Sequence, residues 1–350
     1  MSYKRVINVV ETHGGEPMRV VTGGVGHIPG NSVYEMEEYL RLHDDSLRKF
    51  LLREPRGYPA MCCNVIVPPK HPEAAAGFII MEQTEYPMMS GGNVISVATV
   101  LLENGMIPMK EGLNEFNLEA PAGLIGIRAQ CHNGKVTEVT FKNVPSFAVY
   151  LDKTIDVPHL GKVTVDVAWG GMFYVIADIR QFPELELLPE QGDEIIRIQS
   201  LILGAAREQL PVHHPDYPHI ELTQCELSGP ARTPNGDLRN AVRVSSGKVD
   251  LNNPATWKGA LDRCPCGTGT CAKMAVLHAK GQLPLHQKFR HEGLLDIVYT
   301  GELVGTTKIG EYEAVIPEVS GQSWIYGYGN LVLDPTDPFT EGFTIGDIWG

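Results

Sequence analysis

Apolar residues along this chain fall mostly into short alternating runs, with only a few stretches at helical spacing. Residues 6–10 and 18–22 read as strands joined by the turn Glu11-Thr12-His13-Gly14-Gly15-Glu16-Pro17, where the glycine pair and the proline break the pattern. Residues 32–52 place Val33, Met36, Tyr39, Leu40, Leu47 and Leu51 on one stripe among charges, which predicts an amphipathic helix broken at His43-Asp44-Asp45. Glu54-Pro55-Arg56-Gly57 stops it, and 61–67 and 77–81 read as buried strands. Residues 94–102 are β-branched enough for a strand, yet they run apolar without alternation into Glu103-Asn104-Gly105. That ending is a helix stop, so the segment is read as a buried helix. From 116 to 149 short strands return, with a hairpin turn at His132-Asn133-Gly134.

The chain then starts again. Strands are predicted at 162–167 and 173–177 around Gly170-Gly171, an amphipathic helix at 194–207, and strands at 220–227 and near 240–244. The stretch 261–281, LDRCPCGTGTCAKMAVLHAKG, follows as a glycine-rich turn opening a helix, and then strands at 293–300, 302–309 and 312–319. Each half thus has a glycine-rich turn, a buried helix ending in glycine, and closing hairpins. Counted from Ser90 and Cys266, the hairpins close near Val144 and Val319, about 54 and 53 residues on. The expected fold is α/β (α+β) and duplicated, each unit a curved sheet or barrel around a central helix. The first unit is expected over 1–155, with the tail 325–350 a candidate to join it, and the second over 156–324. A ligand is expected in the cleft between them.

Length and composition fit this reading, since 350 residues suit two domains and 43% hydrophobic with 20% charged residues is a globular composition. A net charge of -13 with no basic cluster excludes nucleic acid as the main partner. No run approaches a membrane span or a signal peptide, so a soluble cytoplasmic protein is expected, monomer or homodimer, with a small molecule as its partner. The seven cysteines suit reduced thiols better than a disulfide framework, and neither Cys62-Cys63 nor Cys264-x-Cys266 has zinc-site spacing.

The chemistry concentrates at the two turns. A Gly-Thr-Gly-Thr turn ahead of a helix aims backbone N–H groups and the positive end of the helix macrodipole at one point, where a carboxylate can sit. Cys266 shares that field, which is expected to lower its pKa and make it a base. Ser90-Gly91-Gly92-Asn93 offers a second such turn. Two turns on one carboxylate would acidify the neighbouring C–H, and a base on one face with an acid on the other could remove and return the proton. Cys266 and Ser90 are therefore the catalytic candidates. Gly91, Gly92, Asn93, Gly267 and Thr268 are candidates to hold the carboxylate, and Asp262 to bind an ammonium. Ser90 could instead be a helix cap, and Cys264 and Cys271 packed thiols. His13 could face the ligand or serve its own turn, whereas His213, His214 and His219 lie among prolines and are read as a surface loop.

These motifs resemble the proline racemase superfamily. The matching stretches are His13-Gly14-Gly15-Glu16-Pro17 with Arg19-Val20-Val21, Ile28-Pro29-Gly30, Glu54-Pro55-Arg56-Gly57, Met89-Ser90-Gly91, Asn143-Val144-Pro145-Ser146-Phe147, and the run from Asp262 to Thr270. The resemblance implies a diaminopimelate-epimerase-like duplicated fold and cofactor-free, metal-free chemistry at the α-carbon of a cyclic amino acid. Racemases and 4-hydroxyproline epimerases of the family have Cys-Gly-His at the first turn, whereas this chain has Ser90-Gly91-Gly92. Replacement of that first cysteine is a mark of the family's trans-3-hydroxy-L-proline dehydratases. Met61-Cys62 stands where racemases carry an aromatic over the ring, which makes Cys62 a candidate substrate contact. The resemblance thus implies dehydration of trans-3-hydroxy-L-proline to Δ1-pyrroline-2-carboxylate, with 4-hydroxyproline 2-epimerisation as the alternative or a second activity. Proline racemisation, an amino-acid-binding protein without turnover and a redox protein using Cys264 and Cys266 are the remaining readings.

Overall fold

The computed structural model describes residues 5–244 and 247–349. They divide into two compact units, one running to Phe141 and including Gly321–Trp349, the other Lys142–Ser320. The first carries β1 (Arg5–Gly14), β2 (Glu16–Gly23), α1 (Val33–His43), α2 (Ser46–Leu52), β3 (Cys62–Val67), β4 (Ala74–Met81), α3 (Gly91–Glu103), β5 (Gly112–Ala120), β6 (Gly123–His132) and β7 (Lys135–Lys142). The second carries β8 (Phe147–Val157), β9 (Gly161–Trp169), β10 (Phe173–Asp178), α4 (Gly192–Gln209), β11 (Leu222–Pro230), β12 (Leu238–Val244), β13 (Ala260–Leu261), α5 (Gly267–Ala279), β14 (Lys288–Glu292), β15 (Val298–Ile309) and β16 (Tyr312–Gly321). The chain then returns to the first unit as β17 (Trp324–Leu333).

Strand pairing shows the duplication. In the first unit β17 is antiparallel to β1, β1 antiparallel to β2, β2 parallel to β3, β3 antiparallel to β4, β4 parallel to β5, and β5 antiparallel to β6. In the second the same order of pairings runs through β8, β9, β10, β11, β12, β14 and β15, with β13 adding a short antiparallel pair to β12. A parallel pair needs a crossover, and helices supply each one. The pair α1 and α2 matches α4, and α3 matches α5. β17 fills in the first unit the place that β8 fills in the second.

Helix starts and stops follow the local sequence. The Ser32 hydroxyl caps α1 by accepting from the Glu35 N–H, and the charged break at His43-Asp44-Asp45 separates α1 from α2. Helix α3 is buried from Gly91 to Leu102 and packs on β1, β2, β3 and β17. That burial on all sides is why β-branched residues serve there: packing overrides their weak helix propensity. Val33, Met36, Leu40, Phe50 and Leu51 pack with Val21, Val65 and Ile79 into one core. In the second unit α4 lies on β8, β10, β11 and β12, while α5 lies on β8, β9, β10 and β15. β10 is consequently covered on both faces and reads as an unbroken apolar run.

Some expectations are corrected. The strand predicted at 293–300 is two elements: Gly293 opens a turn in which its N–H donates to the Ile297 carbonyl, with Asp296 in the left-handed region at φ 61°. β15 then continues unbroken through the predicted gap at Gly301. β8 extends beyond the strands expected to end at 149, because most of its residues are partly or fully exposed and show little alternation. His214 is not on the surface; it is 3% exposed and packed against Trp169, Phe147 and Tyr217. Among the described residues no helix is long and apolar enough to cross a membrane.

Candidate active site

The turn before α5 has the more developed chemistry. Cys266 is the N-cap of this 13-residue helix and sits at φ 57°, in the left-handed region that a residue with a Cβ enters only at a cost. That backbone points the thiol back over the helix start, where Sγ accepts from the Gly269 N–H at 3.4 Å. Asn240 Nδ2 at 2.8 Å and Thr270 Oγ1 at 3.2 Å both donate to the Pro265 carbonyl and so fix the peptide just ahead of the cysteine. Gly267 and Thr268 lie in the first turn, whose backbone N–H groups point out of the helix.

Two side chains meet at the thiol. Tyr174 on β10 brings its hydroxyl to 3.3 Å from Cys266 Sγ and 2.7 Å from Thr268 Oγ1. Asp262 is hydrogen-bonded to Cys266 and buried, its backbone tied to Val242 at 2.8 Å. Burial pushes the Asp262 carboxyl up to about 6. The Cys266 thiol is itself raised well above its ordinary value, first by burial and then by the Asp262 carboxylate and Cys264. This corrects the expectation that the helix field lowers it: in the free protein, desolvation and a neighbouring anion outweigh a helix N-terminus. Cys264 is 4% exposed and bonds the Tyr299 hydroxyl, and Cys271 is fully buried inside α5.

Tyr174 was missed by sequence reasoning, because its strand is apolar throughout and a tyrosine there reads as core. A signal lay four residues earlier. A Cβ on Gly170 would stand 2.1 Å from the Thr268 carbonyl oxygen and 2.6 Å from the Ala272 nitrogen. The glycine therefore lets the β9–β10 turn ride directly on the first turn of α5, and that contact places Tyr174 beside the thiol.

The Ser90 turn of the first unit is built differently. Ser90 is the N-cap of α3, also 13 residues long, but its side chain makes no capping bond. Ser90 Oγ accepts from Asn93 Nδ2 at 2.8 Å, and Asn93 Oδ1 accepts from Asn64 Nδ2 at 2.5 Å. The hydroxyl thus spends a lone pair on Asn93 and keeps its own proton to donate. Gly91 and Gly92 follow in the first turn.

Two other predicted contacts belong to the same unit. Cys62, 6% exposed at the start of β3, has its thiol 3.9 Å from Glu82 Oε1. His13 is exposed on β1, its ring 5.6 Å from Trp324 and 5.9 Å from Tyr326, and its carbonyl accepts from Ser323 Oγ. None of these partners of His13 belongs to the Ser90 turn.

Comparison with known proteins identifies the family. The family described as proline racemase matches residues 9–344. A hydroxyproline epimerase from Agrobacterium vitis, solved with bound trans-4-hydroxy-L-proline, is 35% identical over 100% of this chain and 98% of its own, with a TM-score of 0.90. A probable proline racemase from Agrobacterium radiobacter K84, with bound carbonate, is 33% identical over 98% of both chains, TM-score 0.89. A Bacillus anthracis phenazine biosynthesis protein of the PhzF family is 11% identical over 93% of this chain and 99% of its own; its TM-score of 0.54 shows the shared diaminopimelate-epimerase-like fold alone. With the family match spanning nearly its whole length, this chain belongs to the proline racemase family.

Proposed function

We propose that this protein dehydrates trans-3-hydroxy-L-proline to Δ1-pyrroline-2-carboxylate, with Cys266 as the base. The observation that carries this reading is the inequality of the two helix caps: a thiol hydrogen-bonded to Asp262 and Tyr174 at α5, and a hydroxyl held by Asn93 at α3. The substrate ammonium pairs with Asp262, and its carboxylate takes the first-turn amides. The ammonium offsets the Asp262 charge that, after burial, raises the Cys266 thiol most, so the thiol releases its proton to solvent as the substrate binds and is left as the thiolate. Cys266 takes the α-proton. In this isomer the ring hydroxyl lies on the face of the α-hydrogen, so the same thiol can return that proton to the departing hydroxide. Water leaves, the Cα–Cβ double bond forms, and the enamine tautomerises to the cyclic imine. One strong base suffices.

Epimerisation of 4-hydroxyproline is the second reading, favoured by the bound trans-4-hydroxy-L-proline of the Agrobacterium vitis relative. It needs Ser90 to donate a proton to the opposite ring face. Incubation with each hydroxyproline in D₂O separates the two: ketimine formation supports dehydration, and α-deuteration with inversion of the 4-hydroxy compound supports epimerisation. Turnover of neither, with Cys266→Ser indistinguishable from wild type, overturns both.

A further inference from the structure

Beneath the α5 turn lies a second acid that the mechanism above does not use. Glu226, on β11, is fully buried, and neither of its carboxyl oxygens makes a hydrogen bond of normal geometry among the described residues, the Asn240 amide nearby being spent on the Pro265 carbonyl. It reaches the underside of the Cys266 turn: a Cβ built on Gly269 would lie 3.1 Å from Glu226 Oε2 and 3.1 Å from Cys266 Sγ. Carboxyl and thiol therefore flank the same point, which only a glycine leaves open. On its other side Glu226 Oε1 is 3.9 Å from Nε2 of His291, on β14, a nitrogen also unpartnered among the described residues. His291 Nδ1 is 3.0 Å from Thr270 Oγ1, which in turn donates to the Pro265 carbonyl, so the pair is wired into the turn.

The electrostatics of the surroundings are mixed. Lys273 on α5 and the Asn240 amide on β12 favour the Glu226 anion, whereas burial and Asp262 oppose it. Burial dominates and pushes the carboxyl up to about 8, while His291 is held neutral, down to about 3. Tyr174, on the neighbouring strand β10, Cys266 and the adjacent Cys225 are the other titratable groups beside it; burial holds all three neutral. An unpaired carboxylate at this depth would cost several kcal/mol, so the neutral acid is the resting form.

We propose that Glu226 is a positioning residue of the α5 turn: as a neutral acid it leaves the first-turn amides and Cys266 free to meet an anionic substrate, and on ionising it takes that positive field for itself. Two effects follow above neutral pH. The carboxylate opposes thiolate formation at Cys266, and it weakens the turn's hold on a carboxylate ligand. The second rests on the function proposed above; the first does not.

Alkylation of Cys266 by iodoacetamide, followed on its own peptide by mass spectrometry between pH 7 and 9.5, tests the first effect without any substrate. Wild type is expected to gain reactivity with pH less steeply than one ionising thiol. Glu226→Gln, the fixed neutral mimic, is expected to react at the wild-type rate at pH 7 and at least threefold faster at pH 9. A variant-to-wild-type ratio that is the same at both pH values, or a wild-type profile with the full slope of a single thiol, overturns the proposal. Where turnover is measurable, KM of wild type should rise between pH 7 and 9 at least fivefold more than KM of the variant. Equal rises overturn the second effect. Absence of turnover with an alkylation difference as expected instead places the failure in the assigned reaction.

Discussion

The Tyr174 hydroxyl bridges Cys266 Sγ and Thr268 Oγ1, joining the thiol to the first turn of the helix that it caps. Its hydrogen bond favours the Cys266 anion against burial and Asp262, which both oppose it. Bonds to charged groups contribute about 1.5–3 kcal/mol. Tyr174→Phe should therefore lower kcat about 10- to 100-fold and move the alkylation profile of Cys266 to higher pH, with the circular dichroism spectrum unchanged. An unaltered alkylation profile would show that the tyrosine merely packs.

Asp262 acts on the same thiol with the opposite sign. Asp262→Asn removes the charge that raises Cys266, so Cys266 should alkylate about tenfold faster at pH 7 than in wild type. Turnover should nonetheless fall more than about 100-fold, because an ammonium loses its buried partner. A variant slow in both measurements would contradict the assignment.

Gly170 is the steric hinge of this arrangement. Its Cβ would overlap the Thr268 carbonyl oxygen at 2.1 Å, which is backbone and cannot rotate away. Gly170→Ala is expected to destabilise the protein by about 2–3 kcal/mol, read as a lower Tm, and to impair Cys266 alkylation by shifting the turn. An unchanged Tm would mean that the β9–β10 turn does not bear on α5.

Acid stability has a separate origin in His214. Burial holds this imidazole down to about 4, and its Nδ1 accepts from the Asp216 N–H at 3.2 Å, as the neutral ring must. A histidine whose folded pKa lies below its unfolded value contributes full stability above about pH 6.5 and loses it as pH falls from there towards 4. Tm should drop across that window, by the equivalent of about 3 kcal/mol for this group. His214→Phe, which keeps a ring among Trp169, Phe147 and Tyr217, should flatten the drop. An equally steep fall in the variant would move the effect to other groups.

The sequence by itself determined the elements that repeat. Glycine-rich turns, apolar stretches ending in Gly105 and Gly281 and charged breaks such as His43-Asp44-Asp45 are local signals, and local signals survive without a tertiary context. They led to α3 and α5, to the duplicated layout, and to Ser90 and Cys266 as the two caps. What the sequence could not decide was how each cap is charged and who surrounds it. The Cys266 pKa depends on Asp262, four residues away in the chain, and on burial that only folding creates. Tyr174 and Glu226 arrive from β10 and β11, 92 residues away in the case of Tyr174. Strand residues at such separations leave no spacing rule, since their neighbours are fixed by the parallel pairing of β10 with β11 and by the close approach at Gly170. Residue identity placed the thiol at the helix start; the packed strands around it set its protonation.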